Sequence, residues 1–495
     1  PADTNPWIHV PVGYFKTMHD PATDWCYVTE PDPGLGGRAL QWPRGRVLGG
    51  SSSINGLLYV RGQPRDYDHW RQMGNAGWAW DDVLPYFKRA EDQQHGADAL
   101  HGAGGPLAVQ DRRVNREICE AFIAACGEVG IPRNDDFNGP EQEGAGYYQL
   151  TSRNGRRCSA AVAYLKPIRH RRNLVVATDA HTESVLFDGR RAVGVSVLVR
   201  GERREFRARA AVVLSAGAIN SPQLLMLSGV GPGAHLAAHG IDVLHDLPGV
   251  GRHLQDHLQI RSVYRCRRGS TLNEEVNNPF RRVLMGIEYA LFRTGPLSLA
   301  ASLVGVFTRT DPSLPTPDIQ FHVQPLSADK PGEGLHKYPA FTSSVCQLRP
   351  ESRGRIELKS ADPLTHPAIH PNYLSTPGDQ QVAVAALKVS RRICNAPALS
   401  AYVSEELLPG PDVDDDDKLL AAARRISQTI YHPTSTCRMG PDPMSVVDER
   451  LRVHGMERLR IADGSIMPTM VSGNTNAACI MIGEKAADLI REDHR

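Results

Sequence analysis

The feature that most limits what this chain can fold into lies at residues 210–229. A short apolar run at 210–214 passes through four small residues, Ser215-Ala216-Gly217-Ala218, into a helical stretch around 221–227 that stops at Ser228-Gly229. A strand that turns into a helix through residues with almost no side chain is a connection of nucleotide-binding α/β folds. Pro222 suits the first turn of such a helix, where its missing N–H costs nothing. Around this connection, runs at 174–178, 184–187 and 192–199 alternate apolar and polar residues and read as strands, with Asp188-Gly189 as a turn signal. Residues 66–91, 113–130, 376–396 and 416–428 read as helices, and 319–360 as strand-rich, most clearly at 319–323 and 344–348.

The 495 residues are enough for two or three domain-sized units. Lys plus Arg number 56 and Asp plus Glu 55, a net charge of +1. That balance argues against binding to nucleic acid or an anionic membrane, since either would call for a basic excess or stripe. Nine cysteines stand singly, with no CxxC pair. A disulfide framework or zinc site is not expected, and a reducing compartment is favoured. No apolar run has the length of a transmembrane helix. The charge run at 412–417 and the basic cluster at 169–172 read as solvated surface.

A second small-residue loop runs through Gly45-Arg46-Val47-Leu48-Gly49-Gly50-Ser51-Ser52 to Asn55-Gly56-Leu57-Leu58, with Tyr59, Gly62 and Asp68 beyond it. Along its whole length this segment resembles the first signature of the glucose–methanol–choline (GMC) oxidoreductases. Residues 217–231 resemble the second. Asp66-Tyr67-Asp68-His69-Trp70, Leu247-Pro248-Gly249-Val250-Gly251, Leu254-Gln255-Asp256-His257, and Ile461-Ala462-Asp463-Gly464-Ser465 with Asn474-Thr475-Asn476 extend the likeness across the chain.

The resemblance implies an α/β protein with a Rossmann-like FAD domain, three-layered around a mainly parallel sheet. An α+β substrate domain with an antiparallel sheet is threaded between its pieces. The FAD domain would comprise 1–72, 172–258 and 428–495, and the substrate domain 73–171 and 259–427. FAD would lie against Val47, Gly49, Gly50, Ser51, Asn55, Gly56, Leu57 and Leu58, against Thr182, Ala216, Gly217 and Tyr431, and against Asp463, Gly464, Thr475 and Asn476. Members of the family open with a βαβ unit bearing GxGxxG, which holds the ADP half of FAD. Residues 1–7 read as the stretch of chain just beyond that unit, so the sequence is expected to be truncated. A chain truly beginning here should bind FAD poorly.

Alcohol oxidation needs a base titrating near the working pH, and histidine suits it. Ile430-Tyr431-His432-Pro433-Thr434 resembles the family's catalytic-histidine stretch, which implies that His432 is the base for hydride transfer to flavin N5. Asn474, at or near the N-cap of a C-terminal helix, is the implied partner and would orient the substrate oxygen. Ile54 stands where some relatives carry the histidine that bonds the flavin, so FAD is expected to be non-covalent. Leu303 aligns with a position where choline enzymes carry a carboxylate. With Tyr431 it is expected on the substrate wall, and it favours a neutral primary alcohol over choline. Choline dehydrogenation, and cyanohydrin cleavage with non-redox FAD, are the alternatives. No metal is expected. The electron acceptor, whether a quinone or other carrier or oxygen, is left open. So is membrane association of an otherwise cytoplasmic protein.

Overall fold

The structure is a computed structural model that describes residues 1–267, 271–329 and 334–493, so residues 330–333 of the strand-rich stretch lie outside the described residues. In chain order the elements that matter here begin with helices α1 (Pro64–Gln72), α2 (Trp80–Ala90) and α3 (Glu117–Glu128). Strand β1 is Gly144–Tyr147. Then come β2 (Ala180–Asp188), β3 (Arg191–Val199), β4 (Glu202–Arg207) and β5 (Val212–Leu214), followed by helix α4 (Gly217–Leu227). Next are β6 (Leu258–Cys266), α5 (Pro279–Phe292), β7 (Val304–Thr308), β8 (Ile319–Gln324) and β9 (Ala340–Gln347). The chain continues with α6 (Pro377–Cys394), β10 (Val403–Leu408), α7 (Asp416–Ile426), β11 (Ser427–Thr429), β12 (Leu459–Ile461) and α8 (Asn476–Asp493).

Local chemistry explains many of the boundaries. Pro64 and Pro377 open α1 and α6 at a position whose N–H has no partner to lose. The Thr376 hydroxyl accepts from Asp379 N at 3.2 Å. In the 412–417 charge run, Asp415 caps α7 by accepting from Lys418 N at 2.7 Å. The Asp66 carboxylate accepts from Gln63 N (2.8 Å), Ser472 N (2.7 Å) and Ser472 Oγ (2.7 Å), which ties the start of α1 to the segment that carries Asn474.

The main sheet is antiparallel in the order β10-β6-β9-β8-β7-β1, with β11 also pairing β6. α6 packs on β9, and Ser343 and Ser390 hydroxyls meet across that contact at 3.2 Å. Register aligns Arg261 with Ser344 and Ser344 with His322. One row of side chains therefore runs across three strands, and that row faces the cavity described below.

Three readings change. Residues 174–178 form no strand, and Val175 is 88% exposed there; an apolar pair with no strand beside it has no ladder to join. β4 was not expected, because Glu202–Arg207 is exposed throughout and shows no inward face. It forms by pairing with β3 across a turn in which Arg200 and Gly201 both have positive φ (52° and 86°), the backbone that matches the twist of a hairpin. α4 begins at Gly217, so Pro222 is inside it rather than in its first turn. The lost N–H leaves the Ala218 carbonyl without its helical donor, and Thr436 Oγ1 donates to it at 2.6 Å. Among the described residues the parallel ladder between β5 and the C-terminal part of the chain is a single pair, β5 with β12.

Candidate active site

A cavity of about 690 Å³ lies between the antiparallel sheet, the 45–58 loop, the β5–α4 turn and the start of α8. Its wall includes Gly49, Gly50, Ser51, Asn55, Gly56, Leu57, Leu58, Thr182, Ala216, Gly217, Tyr431, His432, Asp463, Gly464, Asn474, Thr475 and Asn476. Residues separated by more than four hundred positions in sequence thus share one wall.

Two of the expected residues are not on it. Val47 sits in a turn whose use is local: its carbonyl accepts from Gly50 N at 2.8 Å. Leu303 is 1% exposed and packed in the main core. Its N–H and C=O are held by Val323 and Tyr148, and it is the preceding residues Ala301 and Ser302 that reach the cavity. Successive side chains of an extended segment point oppositely, so Leu303 faces the core because Ser302 faces the site.

The 45–58 loop is shaped by hydroxyl-to-backbone bonds. Ser52 Oγ donates to Gly49 O (2.6 Å) and Ser53 Oγ to Leu48 O (2.7 Å). At Gly45 any Cβ would fall 2.2 Å from Gly50 O, so only glycine lets the two ends of the loop meet. Asn55 is gripped by Arg157, which donates from Nη1 to Asn55 Oδ1 at 2.6 Å and from Nη2 to its carbonyl at 2.7 Å. Asp463 lines the cavity, but its oxygens are already engaged. They accept from Gly217 N (2.9 Å), Ser221 Oγ (2.6 Å) and Ser465 N (2.8 Å), clamping the β5–α4 turn to the C-terminal segment. Gly217 has φ 83°, and a Cβ there would meet no protein atom within 4 Å.

His432 is buried at the far side of this wall. Tyr431, beside it, holds the left-handed backbone (φ 69°), uncommon for a side-chain-bearing residue. Arg44 Nη2 donates to its carbonyl at 2.5 Å. The Asp256 carboxylate accepts from His432 N (2.7 Å) and Thr429 Oγ1 (2.6 Å), and also takes the Tyr373 hydroxyl. Burial pushes that carboxyl up to about 6.

The ring of His432 is in a directional chain. His257 Nε2 lies 3.0 Å from the Leu348 carbonyl and His257 Nδ1 3.0 Å from His432 Nδ1. A carbonyl only accepts, so His257 Nε2 carries the proton. Burial lowers His257 to about 4, so its ring is neutral at neutral pH and its Nδ1 is an acceptor. His432 Nδ1 must then donate, which leaves a lone pair on His432 Nε2. Asn474 Nδ2 donates to that atom at 3.2 Å, while Asn474 Oδ1 accepts from Gln320 Nε2 at 3.0 Å. Burial, then the neighbouring His257 and His322, hold His432 well below the usual imidazole range, so it too is neutral. His322 lines the same cavity from β8, with burial lowering it to about 3.

Asp256, His257 and His322 were not singled out from sequence. Leu254-Gln255-Asp256-His257 was visible as a shared segment without a role: Asp256 holds the backbone of His432 and His257 holds its ring. β8 carried the other signal, with Gln320, His322 and Gln324 alternating with Ile319, Phe321 and Val323.

The chain belongs to the GMC oxidoreductase family, whose models match residues 16–259 and 350–483. It is thus an FAD-dependent oxidoreductase acting on CH–OH donors. It is 43% identical over 495 residues to the alcohol dehydrogenase [acceptor] of Pseudomonas putida, covering 99% of this chain and 89% of that one. It is 44% identical over 486 residues to mitochondrial choline dehydrogenase of Homo sapiens, covering 98% and 82%. Among solved structures it is similar to pyridoxine 4-oxidase from Mesorbium loti, with TM-score 0.89, 33% identity and coverage of 99% and 92%.

The residues present fit the flavin cofactor. A Cβ-free edge at Gly217 opens on the cavity, and both ring nitrogens of His322 and the hydroxyl of Ser302 are buried on its wall with no protein partner among the described residues.

Proposed function

We propose that this protein oxidises a neutral primary alcohol to the aldehyde, with His432 as the base and Asn474 as the group that orients the hydroxyl. The observation that carries the reading is the hydrogen-bond chain from Leu348 through His257 and His432 to Asn474, which leaves a lone pair on His432 Nε2 beside an amide N–H. A substrate hydroxyl entering there would insert between the two groups, replacing the Asn474–His432 bond: it would donate its proton to His432 Nε2 and accept from the released Asn474 Nδ2–H. Bound FAD supplies the hydride acceptor at N5. The alcohol carbon loses a hydride, the oxygen loses a proton to His432, and a C=O bond forms.

The glycine loop at 45–58, Thr182, the β5–α4 turn, Tyr431 and the segments at 463–464 and 475–476 are proposed to hold FAD. Ile54 on that wall offers no nucleophile, so the attachment is non-covalent. Asp463 is the one carboxylate on the described wall, and its bonds to Gly217, Ser221 and Ser465 hold it at the β5–α4 turn proposed to bind FAD. A substrate end with no carboxylate of its own suits a neutral alcohol better than choline, on different grounds from Leu303. The acceptor that reoxidises the flavin is a quinone, another carrier or oxygen.

The test is an anaerobic absorbance titration of the flavin-loaded protein with neutral primary alcohols and with choline. Bleaching by a neutral alcohol at concentrations where choline has no effect is the expected result. Bleaching by choline alone would overturn the substrate reading. A flavin band that no alcohol bleaches would overturn oxidation and leave cyanohydrin cleavage.

A further inference from the structure

Asn474 can donate a hydrogen bond to His432, and then to a substrate oxygen, only with its amide nitrogen turned to that side. The nitrogen and oxygen of an amide have nearly the same size, so packing alone does not choose between the two orientations. A second chain of hydrogen bonds, starting from another strand carbonyl, makes the choice. Tyr148, just past β1, donates its hydroxyl to Phe321 O at 2.7 Å. A carbonyl only accepts, so the single phenolic proton is spent there and Tyr148 Oη can only accept on its other side. Gln320 Nε2 donates to it at 2.9 Å. The same nitrogen donates to Asn474 Oδ1 at 3.0 Å. With its oxygen held by Gln320, Asn474 turns Nδ2 to His432 Nε2.

The relay is buried and closely fitted. Tyr148, Gln320 and Phe321 are all buried. Gln320 Oε1 has no protein partner among the described residues, so the hydrogen bonds that hold this amide act through its nitrogen. Reversing the Gln320 amide would set its oxygen against Tyr148 Oη with no proton between them, an arrangement that burial makes costly. The Tyr148 ring stacks on that of His322, with centroids 5.7 Å apart. Gly305 in β7 stands opposite His322 in register. A Cβ on it would fall 2.5 Å from Tyr148 Cζ, so glycine there leaves room for the phenol.

We infer that Gln320 and Tyr148 are positioning residues of the oxidation, which set the Asn474 amide as a donor before any alcohol binds. The inference rests on the roles proposed above for His432 and Asn474. Neither Gln320 nor Tyr148 is on the cavity wall, so both act through Asn474. Two backbone carbonyls thus fix the polarity of the site from opposite ends. Leu348 O, through His257, leaves a lone pair on His432 Nε2. Phe321 O, through Tyr148 and Gln320, places an N–H at Asn474 Nδ2. A hydroxyl inserted between them meets an acceptor on one side and a donor on the other, which directs its proton to His432 and holds its oxygen.

The test is a double-mutant cycle on the anaerobic rate of flavin reduction in the flavin-loaded protein, with a neutral primary alcohol that bleaches the wild type. Gln320→Met keeps the side-chain length and removes both polar atoms; it should slow reduction roughly tenfold or more. Tyr148→Phe keeps the ring and should slow reduction less, in the same direction. In an Asn474→Ala background neither change should slow reduction further, because the group they position is gone, whereas general damage would slow both backgrounds alike. A crystal structure of Gln320→Met gives a readout that needs no activity. With Oδ1 deprived of its donor, the Asn474 amide should leave its 3.2 Å contact with His432. Flavin absorbance and thermal melts check that the variants fold. Equal slowing in both backgrounds, no slowing by Gln320→Met, or an Asn474 amide unmoved in its crystal structure would overturn the inference. Asn474→Ala that reduces its flavin as fast as wild type would remove the role of Asn474 itself, and the inference with it. Should no alcohol bleach the flavin, the oxidation reading falls, and the crystal structure alone decides whether Gln320 holds Asn474.

Discussion

His432 has a partner on each ring nitrogen, and the two partners have different jobs. Asn474 shares the space where a hydroxyl would bind; His257 touches only the ring. Replacing His432 with Ala should lower the rate of flavin reduction by roughly 10²- to 10⁴-fold, the range of a lost general base. His257→Ala should cost on the order of 10- to 100-fold, as is common when the group orienting a functional histidine is removed. The pH profile separates positioning from simple structural damage. His257 contributes to holding His432 low, so its loss should let His432 rise and move the acid limb of the reduction rate to higher pH. In His257→Gln the amide can accept from His432 Nδ1 and donate to Leu348 O, so this variant should recover part of the rate, while the acid limb stays shifted because a neutral amide cannot replace the electrostatic effect of the histidine. Stopped-flow reduction across pH measures both. An unchanged acid limb in His257→Ala would remove the positioning role.

At the scale of elements, the turn between β5 and α4 combines backbone need with ligand need. Gly217 is in the left-handed region, and a Cβ on it would project into the cavity rather than into protein. Gly217→Val should therefore lose flavin for two reasons, a strained backbone of about 1–3 kcal/mol and an occupied cofactor edge. The expected reading is a sharp fall in the flavin-to-protein absorbance ratio with a modest change in the melting temperature of the flavin-free protein. Full flavin loading would refute it. This turn was legible in the sequence because small residues between a strand and a helix have few other uses. His432 and Asn474 were legible for a different reason, since each stands in a long shared segment. β8 was harder to read. Gln320, His322 and Gln324 alternate as a solvent-facing edge would, yet Gln320 and His322 are buried and the outer face of that strand is the site. Polarity at every second residue says that one face is polar, not whether water or a ligand lies against it. Leu303 failed by the same rule: a shift of one residue along an extended segment exchanges core for cavity. β4 has no inward face, and only its neighbour β3 makes it a strand.

Across the whole molecule, the site requires several histidines to remain neutral, and that requirement makes stability depend on pH. Burial lowers His257 to about 4 and His322 to about 3, and holds His432 well below the usual range. In the unfolded chain each titrates near 6.5. Between the folded values and about 6.5 the unfolded state binds more protons, so stability falls as pH falls through that window. Each histidine contributes up to about 1.4 kcal/mol per pH unit there. Asp256 works in the opposite sense. Burial raises it to about 6, so below that pH the folded state holds a proton that the unfolded carboxylate keeps only near 4, and acid favours the fold at that one group. His101 bears on the alkaline side. Its hydrogen bonds to Asp136 and Glu91 raise it to about 9, a stabilisation fully present below 6.5 and lost as pH rises through 9. His19, His235, His245, His253, His366 and His370 are also lowered by burial, and Asp32 is raised like Asp256, so the acid-sensitive histidines outnumber the acid-favoured carboxyls and the melting temperature should drop steadily from pH 7 to pH 5. His322→Gln, which removes one titrating ring from the cavity wall, should flatten that slope. Melts recorded across this range for wild type and variant measure the difference. A wild-type melting temperature that holds or rises towards pH 5 would mean that these rings are already charged in the folded protein, and the neutral lone pair assigned to His432 would have to be abandoned with them.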